Sequence, residues 1–289
     1  MSETKQRLNS IADSRTRRAL HKLFGNNTPQ IARTLFDYTN GNIGTATGAG
    51  LSLLIWSDCP RGLMLCDPTV GHFLFDDFHV VLATAYGYEL TGTNGTFAKV
   101  AAQQDGHGII SCPGADNDEA YLTFANDAGG IIKADAATDW WFEARLKINQ
   151  IATAQGAFVG LAEETAVAAD FMTDNTMAMK VVDSIGFQIV QATDAAPTWQ
   201  SMMQLNGGAR AAVNATLHTA TTGFVKLGMK SISGTVTFYV NGASDSTQTT
   251  SAATNFPLDQ VMSPTFARKA GSAAANTMTI DWWAAAQLR

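Results

Sequence analysis

Residues 139–149 read DWWFEARLKIN, and their alternation decides the fold class. Successive side chains of a strand point to opposite faces. Trp140, Phe142, Ala144, Leu146 and Ile148 therefore share one side, and Trp141, Glu143, Arg145 and Lys147 the other. Such a strand is buried on one face and wet or contacted on the other. The C-terminal stretch 280–289, IDWWAAAQLR, reads the same way. It sets Ile280, Trp282, Ala284, Ala286 and Leu288 opposite Asp281, Trp283, Gln287 and Arg289. Trp140 and Trp282 are thus expected in a core. Trp141 and Trp283 are expected on a polar face, where a large apolar ring needs a partner to cover it.

Working outward, period-two pattern predicts strands over 73–75, 78–87, 96–101, 120–124, 129–133, 139–149, 156–162, 185–192, 223–231, 234–240 and 277–288. Asn94-Gly95, Gly129-Gly130, Ser233-Gly234 and Asn241-Gly242 punctuate them. Short strands at this spacing, with no helical stretches between them, predict an all-β antiparallel sandwich rather than βαβ units. The 289 residues and 46% apolar content suffice for a large core. A charged content of 15% excludes a polyelectrolyte chain.

The N-terminal part differs. Residues 3–24 have helical character, with Leu8, Ile11, Leu20 and Phe24 on an apolar side, and Gly25-Asn26-Asn27 ends the helix. Residues 39–50 are rich in Gly, Thr and Asn and read as a joint. LSLLIW, 51–56, is an apolar run of strand length, and 57–71 is turn-rich. Two domains follow: an arm over 1–50 and a sandwich over 51–289. Residues 1–35 carry seven basic side chains against two acidic ones, a net +5. The remainder carries twelve against twenty-three, a net −11. A basic arm on an acidic body suits docking on an acidic protein surface or on a second copy. It suits nucleic acid less, since the body repels phosphate. No leader peptide and no membrane-spanning run is visible.

Chemistry is sparse. An acid–base glycosidase needs two carboxylates about 5–9 Å apart. No Glu-x-Asp-x-x-Glu strand is present, and Trp141 stands between Asp139 and Glu143 on their shared face. Glu163 and Glu164 are adjacent and point oppositely in a strand. Asp116, Asp118 and Glu119 could hold Ca²⁺ but lack EF-hand spacing, so a solvated turn is favoured. Asp76 and Asp77 suit a turn cap. His21, His72, His79, His107 and His218 are scattered, no Gly-x-Ser-x-Gly elbow occurs, and the Gly-rich 41–50 lacks a phosphate-loop ending. Cys59, Cys66 and Cys112 are an odd number without zinc spacing, so reduced structural thiols are expected. No cofactor, no metal and no enzymatic activity is expected. Trp141, Trp199 and Trp283 could stack on sugars, or sit in an interface or under an adjacent arm; the second is preferred.

The segment from Trp140 to Glu164 resembles an early strand pair of the concanavalin A-like jelly roll. FVKLGMKSISGTVTFYVNG, Phe224 to Gly242, resembles the laminin-G-like hairpin, and TIDWWAAAQLR, Thr279 to Arg289, the last strand. HFLFDDFHVV, His72 to Val81, resembles the start of this domain in bacteriophage virion proteins. The resemblance covers roughly 72–289. It implies a jelly roll and a non-enzymatic role as a capsid decoration or cement protein, resident on the virion surface after assembly in the host cytoplasm. The implied partners are the major capsid protein and other copies of the chain, as in a trimer, with neither membrane nor nucleic acid. Arg7, Arg15, Arg17, Arg18 and Lys22 would make the basic contacts, with Trp141 and Trp283 at the interface. The alternative is a carbohydrate-binding, lectin-like module of a phage tail or fibre; a degenerate glycanase comes third.

Overall fold

A computed structural model describes residues 50–78, 87–100, 106–124, 130–135, 137–163, 171–174, 177, 179, 180, 182–192, 197–206, 208 and 210–289. The chain divides into two units, Met1–Leu53 and Leu54–Arg289, and the described residues belong almost wholly to the second. The expected helix over 3–24, the joint up to residue 49 and the five basic arm residues lie outside them, as do residues 79–86 of the strand expected at 78–87.

Two short helices come first, α1 (Leu53–Trp56) and α2 (Arg61–Cys66). Strands follow: β1 (Gly71–Asp76), β2 (Tyr88–Thr91), β3 (Thr96–Val100), β4 (His107–Cys112), β5 (Glu119–Phe124), β6 (Ile132–Lys133), β7 (Trp140–Ile148) and β8 (Gln155–Glu163). Then come β9 (Ser184–Gln191), β10 (Thr198–Gln204), β11 (Ala211–Thr219), β12 (Val225–Ile232), β13 (Thr235–Val240), β14 (Ala243–Thr250), β15 (Val261–Ala270) and β16 (Asn276–Leu288). They form two antiparallel sheets, a jelly-roll β-sandwich. The first runs β14-β13-β12-β7-β16-β4-β3, with β1 beside the second half of β16. The second runs β11-β10-β9-β8-β15-β5-β2, with β6 beside the start of β15. Between them Phe142, Leu146, Leu227, Phe238 and Ile280 meet Leu122, Val159, Ile185, Phe187 and Phe266. Phe187 and Phe238 pack edge to face across the layers at 5.6 Å.

Turn chemistry fixes the β12–β13–β14 meander. Ser233-Gly234 and Asn241-Gly242 each bridge directly paired residues with φ of 50°, 76°, 51° and 79°. Positive φ at both central positions makes a two-residue turn whose twist matches the strands, and Gly takes it without strain.

The LSLLIW run is helical at α1 rather than a strand. Short apolar runs do not distinguish a buried helix from a strand by period, and this one packs on a sheet instead of pairing. Strands β4, β10, β14 and β15 carry little apolar–polar alternation in their sequences. In β15, Pro264 sits where the neighbour changes from β6 to β5. Arg268 shares the inward face with Phe266, fully buried, donating to the Gly156 carbonyl at 3.4 Å and Asn276 Oδ1 at 3.3 Å.

The decisive departure is in β16. Ile280 pairs with Leu146 and Trp282 with Arg145, so Asp281 is an extra residue, a β-bulge. One inserted residue reverses the faces of everything beyond it. Trp283, expected outside, lies in the core, donating from Nε1 to Tyr88 Oη at 2.6 Å with Phe124 at 5.0 Å. Trp282, expected inside, faces outward beside Phe75, with ring centroids 6.1 Å apart. Trp140 is in the core as expected. Although it faces outward, Trp282 is only 5% exposed. Trp283→Ala is accordingly expected to lower the unfolding free energy by about 3–5 kcal/mol. Urea titration of this variant checks this, and a loss below about 1 kcal/mol would contradict its place in the core.

Candidate functional site

The outward face of the first sheet is set by cross-strand register. One row runs Lys230, Trp141, Ala286, Phe73; the next Gly228, Glu143, Ala284, Phe75; the third Lys226, Arg145, Trp282. This face is therefore unusually aromatic, and its two ends are treated differently.

At one end α1, α2 and the turn between them form a strap. Trp56 Nε1 donates to Glu143 Oε2 at 2.7 Å, and its ring meets Phe73 edge-on at 5.6 Å. Trp141 Nε1 donates to Asp58 Oδ1 at 2.9 Å. Lys230 Nζ donates to the Leu54 carbonyl at 2.8 Å and to Asp58 Oδ2 at 2.7 Å. A Cβ on Gly228 would stand 2.4 Å from Ile55 Cδ1, so the strap seats closely over this row and a larger residue would make the tip of Ile55 move. The Arg61 guanidinium lies 5.6 Å from the Trp56 ring. Trp141 and Glu143 are consequently buried. Burial also pulls the Lys226 ammonium below its ordinary value, with Glu143 opposing. Trp141, expected at a partner interface or under the arm, is covered by residues 53–66 of its own chain and is closed to a ligand. Trp283 offers no platform, being in the core.

The other end is open. On one side of β16, β4 pairs with residues 276–280 and β1 with 283–288, which leaves Asp281 and Trp282 at the gap between them. Asp281 Oδ1 lies 3.0 Å from His107 Nε2, and its Oδ2 accepts from Arg145 Nη1. The Arg145 guanidinium stacks on Phe224 at 4.1 Å, Lys147 Nζ lies 4.8 Å from the same ring, and His107 packs beside it at 5.8 Å. Phe75, next to Trp282, is 48% exposed. Bulges recur where a side chain must be re-aimed. This one sets the buried Trp282, with the exposed Phe75 against it, beside a hydrogen-bonded polar cluster.

Sequence reading singled out none of His107, Arg145, Asp281, Phe75 or Phe224. The doublet Trp282-Trp283 gives no signal of the bulge, since Trp140-Trp141 on the regular strand β7 reads the same way.

The remaining carboxylates are committed elsewhere. Asp118 accepts from Asn94 Nδ2 at 2.9 Å and from the amides of Gly114 and Ala115 at 3.0 and 2.7 Å, which hold its carboxyl below the usual range. Glu119 is buried against Lys269 Nζ at 2.5 Å and the Tyr121 hydroxyl. Asp76 accepts from the Phe78 amide at 2.7 Å and the Tyr88 hydroxyl at 2.6 Å, a turn cap as expected. Asp183, raised by burial, shares a hydrogen bond with Glu163. Two carboxyls in direct contact leave no room for a glycosidic bond between them. Among the described residues no three His, Cys, Asp or Glu side chains gather as metal ligands, and no helix is long and apolar enough to cross a membrane.

No family model matches the chain, and no curated protein matches it. Among solved structures it is similar to the Emp47p carbohydrate recognition domain, at 12% identity and a TM-score of 0.48, covering 76% of this chain and 97% of that one. It is similar to peanut lectin at 12% identity and a TM-score of 0.47, covering 75% and 99%. It is similar to a glycoside hydrolase family protein from Mycobacterium thermorestibile at 13% identity and a TM-score of 0.48, covering 73% and 99%. These are likenesses of backbone path.

All three cysteines are free thiols. Cys59 and Cys112 are buried, and burial pushes each thiol up to about 12. Ellman's reagent should therefore titrate Cys66 alone in the native protein and all three after unfolding. Three fast equivalents would overturn this placement.

Proposed function

We propose that this chain is a carbohydrate-binding module of the lectin type that performs no chemistry on its ligand. One observation carries the reading: Phe75, 48% exposed and backed by the buried Trp282, lies on the same side of the sheet as the Arg145–Asp281–His107 cluster. A sugar ring offers a C–H face and a rim of hydroxyls. An exposed aromatic ring takes the first, while a guanidinium and a carboxylate donate to and accept from the second. A few convergent polar groups on an apolar patch are what orient a small ligand. The absence of chemistry is supported by the use of Glu143, Glu119 and Asp118 in holding the fold. Single sites of this openness bind weakly, and repeated copies would add avidity.

A glycan array probed with the full chain tests this. Phe75→Ala and Trp282→Ala should each lower retention by about tenfold, while Trp141→Phe, under the strap, should leave it unchanged. An array without retained glycans, or retention insensitive to both alanine variants, overturns the reading.

A second reading, decoration of a bacteriophage capsid, is favoured by a different feature. Leu54 and Leu65 on the strap are 55% and 62% exposed, and the preceding arm carries Arg7, Arg15, Arg17, Arg18 and Lys22. Exposed apolar side chains, together with a basic segment earlier in the sequence, suit an acidic coat surface, such as that of a major capsid protein. Replacing those five cations by Gln should release the protein from capsids under this reading and leave glycan retention untouched under the first. Sedimentation with purified capsids separates the two.

A further inference from the structure

We infer that Lys269 and Asp174 become joined in an intramolecular amide, made by the chain itself with Glu119 as the proton carrier. This modification is independent of what the module binds. Its site lies on the outward face of the second sheet. Lys269 on β15 and Glu119 on β5 are direct cross-strand partners, and Lys269 Nζ donates to Glu119 Oε2 at 2.5 Å. The segment Phe171–Asp174 lies against this pair. It brings Asp174 Oδ1 to 2.7 Å from the same Nζ, and the Met172 carbonyl to 3.3 Å. The segment is itself held in place. The Met172 amide donates to Tyr121 Oη at 3.2 Å, and the Lys180 amide to the Phe171 carbonyl at 2.9 Å. Phe171 packs edge to face on Phe158 at 5.2 Å and on Tyr121 at 5.7 Å.

This cluster differs from a surface ion pair. Lys269 and Glu119 are 1% and 2% exposed, among Tyr121, Phe158, Phe171, Met172 and Ala267. One ammonium faces two carboxyls, so one carboxyl is surplus to charge matching and can relay protons. Burial opposes the ammonium, and hydrogen bonds to Asp174 and Glu119 outweigh it. An ion pair is therefore the starting state. A proton passing from Nζ to Asp174 leaves an amine against a carboxylic acid, and a desolvated amine is a nucleophile. Nζ adds to Asp174 Cγ, while Glu119 takes a proton from Nζ and hands it to the departing Oδ hydroxyl. The Nζ–Cγ bond forms, the Cγ–Oδ bond breaks, and one water leaves; no oxidant, metal or cofactor is consumed. The Asp174 side chain is 58% exposed, which gives that water an exit. Reactants already in contact avoid the entropy cost of encounter. The product ties the covering segment to a central strand 95 residues away in sequence.

Mass spectrometry of the unfolded full chain tests the inference. The chain should weigh one water less than its sequence. Trypsin should release a branched peptide joining the residues around 174 to those around 269. Asp174→Ala, at an exposed position, should restore the full mass and still unfold cooperatively. Glu119→Gln keeps the shape of the side chain but cannot relay a proton. It should leave most of the chain at full mass, with circular dichroism like that of the parent. A parent chain at full mass overturns the inference. So does water loss without a branched peptide, which an internal imide at Asp174 would give, and so does a branch that runs to Glu119 in place of Asp174.

Discussion

One extra residue in a central strand organises this molecule. Asp281 cannot be accommodated in the ladder between Ile280 and Trp282, so the strand bends and its face parity reverses. Both consequences are needed. Beyond the bulge Trp283 fills the sandwich, its indole N–H satisfied by Tyr88 and its ring by Phe124. At the bulge Asp281 and Trp282 are both released toward the outer side, where β1 and β4 leave a gap. A regular strand would send Asp281 and Trp283 outward and Trp282 inward; the bulge instead sends Asp281 and Trp282 outward and Trp283 into the core. Burying an indole of about 200 Å² contributes about 5 kcal/mol, which is enough to hold the register against a slip that would expose it.

The other half of the same face shows how a sandwich deals with excess apolar surface. Trp141, Ala284 and Ala286 lie outward on β7 and β16, and an uncovered sheet of this kind is an aggregation risk. The strap closes it, and its polar bonds explain why it stays. Glu143 is fully buried and would be costly without a donor; Trp56 provides one. Asp58 accepts hydrogen bonds from both Trp141 and Lys230. The strap therefore covers apolar area and supplies partners to groups that burial would otherwise orphan, while Gly228 makes the space for it.

Fold class was legible because β7, β12 and β13 announce themselves: strict alternation on one, paired Ser-Gly and Asn-Gly turns on the others. The edge strand β14 is polar after Ala243 and shows no period, and β11 packs Ala211, Val213 and Leu217 only partly buried against the core. β15 was hidden by Pro264, Arg268 and Lys269, whose burial depends on partners far away in the chain. The strap's helicity was hidden because four or five apolar residues look alike in a buried helix and a buried strand. The site was illegible for a related reason. His107, Arg145 and Asp281 lie far apart in sequence and are joined only by strand order, which local pattern does not encode. Reading Asp281-Trp282-Trp283 as strict alternation placed the wrong tryptophan outside.

The division of one sheet face into a strapped end and an open end has a consequence for how the module can bind. Rows separated by a single strand step share the backbone of β7 and β16, so the open cluster rests on a floor that the strap keeps rigid from the other side. Arg145 is the junction. It neighbours Lys226 on β12, pairs with Trp282 and Asp281 on β16, and stacks on Phe224 before β12. A side chain fixed on three sides loses little rotamer freedom when a ligand arrives. The open end is thus pre-organised for an occupant, while the strapped end is stabilised against having one.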